Sequence, residues 1–189
     1  MAADGQDVDG AGRAGVRSFP RPTTNLYKLI FDDQYRKAFR SRLKTGNRFM
    51  GPLYSMRLLP LFGLGNQIML LSTRGRKSGQ MRHTPIGYFN IDGQIYVFSG
   101  WGRDANWYKN IQACPDDVYL QVGFHRFPAR AEEVADLEAR RRILQGLVEQ
   151  DPHGAQVLMG WDPQADCLEA ADFSLMLEKV VVIRFSRRS

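Results

Sequence analysis

The chain is poor in the residues that build disulfide frameworks, metal centres and membrane spans. Among its 189 residues there are only two cysteines and three histidines. Cys114 and Cys167 lie far apart and show no Cys-x-x-Cys or Cys/His metal spacing. No apolar run approaches the roughly 20 residues that a membrane-spanning helix needs, and no basic start followed by an apolar core indicates a secretory signal. These absences exclude a disulfide-stapled domain, predict no metal site and favour a reduced protein of the cytoplasm.

The composition is that of an ordinary globular protein. Hydrophobic residues make up 43% of the chain and charged residues 24%, which excludes collagen-like, coiled-coil and wholly disordered proteins. The length suits one domain with a short tail. Residues 1–22 contain two valines and one phenylalanine among many glycines, alanines and aspartates, too little apolar surface to offset the entropy of ordering. We therefore predict a disordered leader over residues 1–22 and a single domain over residues 23–189.

The formal net charge of +6 is unevenly distributed along the chain. Two segments are basic: residues 24–50 contain seven Lys or Arg and two Asp, and residues 74–82 contain four Lys or Arg and no acidic residue. Residues 150–178 are acidic, with six Asp or Glu and no Lys or Arg. Such local clusters predict anions bound at particular places, on a small molecule, a nucleic acid or a lipid. We expect no nucleic-acid partner, because the clusters lack regularly interleaved aromatic residues and the acidic segment would repel a long polyanion.

The first element of the domain is predicted to be an aromatic helix with a basic side. A residue within Thr23–Asn25 would cap it, and the Gly46-Asn47 pair would end it. Basic residues lie beside one stripe in which an apolar side chain recurs every four positions, as on one face of a helix. This stripe consists of Tyr27, Phe31, Tyr35, Phe39 and Leu43.

Residues 49–65 form the most apolar stretch, and two interpretations of it stay open. Pro52, Pro60 and three glycines interrupt this stretch, which excludes one long helix. It is either a short helix followed by a buried connection or an interfacial patch. In the second case residues 24–62 would contact an anionic membrane surface peripherally, and the cytoplasmic protein would also be membrane-associated.

Beyond residue 66 the pattern becomes that of short antiparallel strands. The Asp92-Gly93 pair predicts a tight hairpin, and a second hairpin is expected at Gly123. Helices are predicted from Asp104 to Ala113 and over Asp136–Gln150, the latter burying Leu137, Leu144, Leu147 and Val148. Mostly antiparallel strands with a few helices indicate a mainly-β or α+β small barrel rather than a Rossmann-like sheet. The predicted strands are Gln67–Thr73, Arg82–Ile91, Gln94–Ser99, Val118–Val122, Arg126–Val134 and Lys179–Phe185.

A glycine-framed basic turn lies between the first two of these strands. Gly75 and Gly79 allow backbone conformations that can direct successive N–H groups at one anion. Arg76, Lys77 and Arg82 add positive charge, and Ser78 adds a hydroxyl donor. The spacing is not that of a Walker P-loop. The turn is therefore either a phosphate-binding element or a solvated basic hairpin.

Two motifs in this region resemble those of a known family. Residues 70–82 read LLSTRGRKSGQMR, with Pro85 following, and this is similar to the TxGRKSGxxRxxP signature of the deazaflavin-dependent nitroreductase family. Residues 106–115 read NWYKNIQACP and resemble that family's WYxNLxANP helix. The likeness covers roughly residues 45–135. It implies a split β-barrel that binds coenzyme F420, an 8-hydroxy-5-deazaflavin, and transfers hydride from it to a quinone, a nitro compound or an activated double bond.

The resemblance also implies roles for particular residues. The phosphate and acidic tail of the coenzyme would be held by Arg76, Lys77, Ser78, Gly79 and Arg82. Thr84 and Pro85 would border its ribityl chain. The deazaflavin ring would be flanked by Ser99, Gly100, Trp101 and Trp107. The loop over residues 100–104 is shorter than in the family's nitroreductases, and by the resemblance this would put Trp101 beside the ring.

Several questions stay open at the level of the sequence. The catalytic proton donor is unknown, although Tyr27 or Tyr88 could contact substrate and supply a proton, and we expect His83 to be an ordinary strand residue. An FMN-dependent oxidoreductase of the same fold is an alternative. So is a non-catalytic protein that binds a lipid, haem or cofactor. The resemblance to split barrels is also the only ground for expecting a homodimer.

Overall fold

Seven antiparallel strands form the main sheet of the protein, whose computed structural model describes residues 16–39, 41 and 68–188. Their order is β3-β2-β6-β7-β9-β5-β4, and a separate parallel pair joins β1 to β8. The strands of this described part are β1 (Arg17–Ser18), β2 (Ile68–Arg74), β3 (Met81–Gly87), β4 (Phe89–Ile91), β5 (Gln94–Ser99), β6 (Val118–Val122), β7 (His125–Glu133), β8 (Ala171–Asp172) and β9 (Val181–Arg187).

The sheet curls on itself, since the edge strand β3 contacts β5 although four strands lie between them in the sheet order. Tight turns give the antiparallel pairing. Asp92 and Gly93 have φ angles of 51° and 73°, as the predicted Asp-Gly hairpin requires, and Gly123 turns β6 into β7. The prediction of a mainly-β or α+β fold with a curled antiparallel barrel sheet and flanking helices is confirmed.

Helices flank the sheet and carry one wall of the candidate site. Residues 33–39 belong to a second helix, α2, directly after α1. A 3-10 turn over Gly102–Asp104 precedes α3. The other helices are α1 (Asn25–Phe31), α3 (Asn106–Ala113), α4 (Leu137–Gln150), α5 (Pro152–Met159) and α6 (Ser174–Lys179).

Two hydrophobic clusters lie on opposite faces of the sheet. One lies inside the curl, where Met69, Leu71 and Leu120 are fully buried beneath α3. The other lies between the outer side of β5 and β9 and helices α4 to α6, around Leu144 and Phe173. Successive side chains of β5 and β9 pack alternately into one cluster and the other, because successive residues of a strand point to opposite faces.

The segment over residues 16–22 differs from the predicted leader. Phe19 has an exposed fraction of 0%, and its ring packs against Trp161 and Phe173. Arg17 and Arg21 both form ion pairs with Asp166. The composition of residues 1–22 did not predict this packing, because one aromatic residue and two ion pairs are enough to hold a segment that is otherwise polar. The acidic 150–178 segment thus holds the N-terminal arm, and disorder stays a prediction for residues 1–15, which lie outside the described part.

The predicted first helix is broken at Asp32. Thr24 caps α1 by accepting a hydrogen bond from the N–H of Tyr27, as expected within Thr23–Asn25. Asp32 then leaves helical geometry, and its side chain accepts from the N–H of Tyr35, which caps α2. An aspartate favours this role because its carboxylate satisfies an otherwise unpaired N–H. The predicted end of the helix at Gly46 lies outside the described residues.

Three further local predictions are corrected by the structure. Asp104 does not cap α3, which begins at Asn106 after the N-cap Ala105 and has no side-chain cap; the Asp104 carboxylate instead contacts Lys109 at 2.9 Å. Leu137 is 55% exposed rather than buried, and Ile143 takes a place in the core. The predicted strand over Arg82–Ile91 is divided at Tyr88, because β3 pairs with β2 at one end of the strand order and β4 pairs with β5 at the other.

The predictions for residues 49–65 lie outside the described residues, as does most of the proposed membrane-contacting region 24–62. Within the part that the structure describes, every helix is too short or too polar to cross a membrane.

Candidate functional site

The turn between β2 and β3 is held by hydrogen bonds within itself. The N–H groups of Gly75 and Gly79 donate to the carbonyls of Gln80 and Gly75, both at 2.8 Å. Those of Ser78 and Gln80 donate to the Gly75 carbonyl and the Ser78 hydroxyl. A Cβ on Gly75 would lie 2.9 Å from the Ser78 Oγ, and Gly79 has a φ of 66°. Because these four N–H groups are occupied within the turn, they do not converge on one anion as the sequence suggested.

A cleft of about 410 Å³ opens between this turn, β3 and α3. It contains three cationic side chains, and the part of the lining that the structure describes includes no carboxylate. An anion is the ligand that such a charge balance favours. The lining residues are Gly75, Arg76, Lys77, Ser78, Arg82, His83, Thr84, Asn106, Trp107 and Asn110.

Two asparagines on α3 hold Arg76. The Oδ1 of Asn110 accepts from the Arg76 backbone N–H at 3.2 Å and from its Nη1 at 3.1 Å. Asn106 accepts from the same guanidinium through its carbonyl and its side chain, at 3.5 and 3.4 Å. The Nδ2 of Asn110 donates to the Oγ1 of Thr73 at 3.3 Å. These contacts connect the turn, β2 and α3.

The other cleft residues from the predicted site lie on the turn and β3. The guanidinium of Arg82 donates to the Ser78 Oγ at 3.2 Å, so these two side chains share one side of the cleft. Lys77 is exposed at the turn and Thr84 is half-buried on β3. Pro85 pairs with Leu70 in the strand register and is half-buried, outside the cleft lining.

Trp107 and Tyr108 point to different sides of α3, since adjacent helical residues are about 100° apart. Trp107 is buried and lines the cleft. The hydroxyl of Tyr108 donates to the carboxylate of Glu133 on β7, which also pairs with Arg103 at 2.6 Å. The helix is thereby fixed from its far side while it presents Trp107 to the cleft.

The predicted ring-flanking residues on the β5–α3 loop lie beside the N-terminal helices and outside the lining of this cleft. The Ser99 hydroxyl donates to the Gly102 carbonyl at 3.0 Å and fixes the loop. A Cβ on Gly100 would lie 2.7 Å from a methyl group of Leu26. Trp101 stacks on Phe39 with ring centroids 6.5 Å apart, and the Arg36 guanidinium lies 5.8 Å from its ring.

The two tyrosines proposed to contact substrate are also outside this cleft lining. Tyr27 is half-buried on α1, with its ring centroid 4.6 Å from that of Phe31. Tyr88 packs against the cluster inside the curl. Burial raises the pKa of the Tyr88 hydroxyl above its usual value.

Sequence reasoning missed Asn106, Asn110 and His83 as cleft residues. The spacing of the two asparagines is a usable signal, because residues four apart in a helix share a face. His83 is on β3, as expected of a strand residue, and its Nδ1 lies 2.8 Å from the Oγ of buried Ser72. Burial, and then the nearby Arg126, lower the pKa of this imidazole.

A larger cavity, of about 510 Å³, lies between α4 and the strands β4, β5, β7 and β9. Its acidic residues are already engaged: Glu132 with Arg184, Glu133 with Tyr108, Asp92 with Gln150, and Asp136 with the backbone N–H of Ala139. We therefore place the candidate site at the smaller cleft, where the cations lack acidic partners in the described lining and lie on the motif residues.

Three solved structures that are similar to this chain are described by their identity, coverage and TM-score. An F420-H2 dependent reductase is 26% identical over 62% of this chain and 93% of its own, with a TM-score of 0.41. A protein described as a domain-swapped dimer is 25% identical over 64% of this chain and 80% of its own, with a TM-score of 0.43. A conserved hypothetical protein from Mycobacterium tuberculosis is 21% identical over 65% of this chain and 74% of its own, with a TM-score of 0.42.

The family model of the F420H(2)-dependent quinone reductases matches residues 54–162. This range is more than half of the chain, and it contains the basic turn, β3 and α3 with both asparagines. The part of the chain that forms the cleft is thus the part that the family shares. The chain belongs to the F420H2-dependent quinone reductase family, a family of oxidoreductases whose cofactor is coenzyme F420.

Proposed function

We propose that this protein transfers a hydride from reduced coenzyme F420 to a small organic acceptor, and that the acceptor is a quinone. The observation that carries the proposal is the cationic cleft beside Trp107, whose described lining includes no carboxylate and lies within the residues that the family model matches. The family's description supports the quinone. A nitro compound or an activated double bond is a further acceptor that the same chemistry can use.

The residues of the cleft fit the anionic part of the coenzyme, which has a phosphate and an acidic tail. Lys77 supplies a compact charge and Arg82 a guanidinium that can bind two phosphate oxygens. The Ser78 hydroxyl already lies within reach of Arg82 and adds a third donor. The half-buried Thr84 and Pro85 would border the ribityl chain. Glycine at position 79 would contribute by giving the turn its shape.

The remaining predicted residues would act on the ring. When bound, the coenzyme supplies two-electron hydride chemistry, so the chain has to bind, orient and shield it. Trp107 offers a buried aromatic wall, and the loop that Ser99 fixes carries Gly100 and Trp101 toward the N-terminal helices. Tyr27 and Tyr88 are proposed substrate contacts. Burial raises the pKa of Tyr88, which makes its hydroxyl a weaker acid than an exposed tyrosine, so we propose it as a hydrogen-bond donor to the acceptor.

Titration of coenzyme F420 against the wild type, Lys77→Ala and Arg82→Ala tests this proposal. Each charged contact contributes about 1.5–3 kcal/mol, so each variant should weaken binding by roughly ten- to a hundredfold. Arg142→Ala is the matched control, because it removes one positive charge at the larger cavity and should leave the affinity unchanged. Hydride transfer to quinones would then be followed by the loss of coenzyme absorbance.

Three outcomes would contradict the proposal. No saturable binding of F420 by the wild type would overturn it, and FMN retained through purification would favour the FMN-dependent alternative. Tight coenzyme binding without hydride transfer to any quinone, nitroaromatic or activated alkene would favour a non-catalytic binding protein.

The proposals on membrane contact and assembly have separate measurements. Lys28 on α1 lies 5.9 Å from the ring of Tyr35 in the aromatic stripe, and Lys37 on α2 is exposed, which supports peripheral contact of region 24–62 with anionic lipid. Co-sedimentation with anionic vesicles that is lost at high salt would support this. A homodimer is proposed from the resemblance to split barrels, and sedimentation equilibrium would measure it.

A further inference from the structure

Arg76 differs from the other two cations of the cleft in how its side chain is used. Its guanidinium contacts Asn106 and Asn110, and its backbone N–H donates to Asn110. Both Nη atoms are thus engaged with α3. A guanidinium held in this way has fewer hydrogen-bond donors left for a ligand, because it carries five N–H groups in a fixed planar arrangement.

Lys77 and Arg82 provide the contrast. Lys77 is exposed at the apex of the turn, and Arg82 contacts the Ser78 hydroxyl, which is itself a proposed phosphate donor. Both line the cleft without an acidic partner in the described lining. Their charges therefore stay available to an incoming anion, whereas the Arg76 guanidinium, although it is exposed and lines the same cleft, already donates from both Nη atoms to α3.

Asn110 is the residue on which the Arg76 contacts converge. It is 6% exposed, and a buried amide needs partners for both its oxygen and its nitrogen. Its oxygen accepts twice from Arg76, and its nitrogen donates to the buried Thr73 at the end of β2. Thr73 precedes the turn and Arg76 lies within it, so Asn110 makes hydrogen bonds on both sides of Gly75. These bonds fix the position of the turn relative to α3.

We propose that Arg76 is a positioning residue rather than a phosphate ligand, and that it acts as one unit with Asn110. The pair sets the distance between the turn that carries Lys77 and the helix that carries Trp107. The anion is then recognised by Lys77, Arg82 and Ser78. This inference rests on the proposed function, and it replaces the direct contact with phosphate that the family resemblance implies for Arg76.

The charge-conserving variant Arg76→Lys tests the proposal against direct phosphate binding. A lysine keeps the positive charge but cannot reach two asparagines with a planar guanidinium. If Arg76 positions the turn, Arg76→Lys, Arg76→Ala and Asn110→Ala should all raise the dissociation constant of F420 by a similar factor, about five- to twentyfold. An Arg76→Lys variant that binds within twofold of the wild type would overturn the proposal.

A second ligand and a double variant distinguish positioning from simple loss of charge. The deazaflavin nucleoside without phosphate or acidic tail should lose affinity in Arg76→Lys and Asn110→Ala, because the wall at Trp107 shifts, and should keep it in Lys77→Ala. The double variant Arg76→Ala/Asn110→Ala should bind no more weakly than either single variant, since residues of one unit are not additive. Additive losses would show that the two residues act separately.

Hydrogen exchange of the ligand-free protein decides the proposal even if the wild type binds no F420. The Arg76 amide is expected to exchange at least tenfold faster in Asn110→Ala and in Arg76→Lys, since its bond to Asn110 is lost or weakened. Lys77→Ala should leave that rate unchanged. Equal exchange rates in all four proteins would overturn the inference, whereas failure of the coenzyme titration alone would overturn the proposed function.

Discussion

Phe19 and Trp161 lie with their ring centroids 5.3 Å apart, which places a residue from the start of the described chain in the core beside α5. Phe173 completes the group at 5.8 Å from Phe19. The arm that carries Phe19 is further held by the pairing of β1 with β8. The N-terminal arm is therefore a structural part of the domain.

Replacing Phe19 with alanine should lower the free energy of unfolding by about 3–5 kcal/mol, because a large buried ring leaves a cavity that cannot collapse completely. Urea denaturation would measure the change. Val16→Ala is the control, since Val16 is 76% exposed and should change the stability by less than about 0.5 kcal/mol. Equal stability of Phe19→Ala and the wild type would show that the arm does not contribute to the core.

Asp166 should make the domain acid-sensitive. Burial alone would raise its pKa, but hydrogen bonds from the Asp162 backbone and Arg17, with the charge of Arg21, hold the pKa below its usual value. A carboxyl with a lowered folded pKa stabilises the protein above its unfolded pKa of about 3.9, and that stabilisation is lost as the pH falls through the folded value.

Asp166→Asn should therefore reduce stability at pH 7 and flatten its decline below about pH 4. Unfolding midpoints measured from pH 7 to pH 2 would test this, with the exposed Asp33→Asn as the control. A parallel decline in the wild type and Asp166→Asn would contradict the assignment.

Gly100→Ala should destabilise the domain by about 1–3 kcal/mol, because the new methyl group would lie 2.7 Å from Leu26. The clash is with a side chain, so shortening that side chain should relieve it. The double variant Gly100→Ala/Leu26→Ala is expected to be more stable than the sum of the two single losses predicts. Thermal unfolding of the four proteins would measure this coupling, and strict additivity would show that Leu26 is not the obstacle.

His83 should titrate below the usual imidazole pKa of about 6.5, because burial and the charge of Arg126 disfavour its protonated form. A folded pKa below the unfolded one means that the resulting stabilisation is present at high pH and is lost as the pH falls. Proton NMR of the imidazole would give the value. Arg126→Ala should raise it, and a wild-type pKa at or above 6.5 would contradict the prediction.

The elements that the sequence predicted well are those with local causes. The Asp92-Gly93 turn, the Thr24 cap and β5 depend on residues adjacent in the chain, and each was found where expected. Phe19 depends on contacts with Trp161 and Phe173, for which no local pattern exists. The same holds for the cleft. The sequence of the turn shows its cationic residues. The hydrogen bonds made by the turn's N–H groups and by the Arg76 guanidinium depend on partners that only folding brings near.

Helix α3 lines the cationic cleft on one side and contacts strand β7 on the other. Asn106, Trp107 and Asn110 face the cationic cleft, while Tyr108 holds Glu133, which lines the larger cavity. These α3 residues lie within five positions of one helix, so the side chains that face the cleft and the hydrogen bond to β7 belong to the same rigid element. A substitution at Glu133 that removes this hydrogen bond should therefore alter the cationic cleft, although Glu133 is not among the residues that line it.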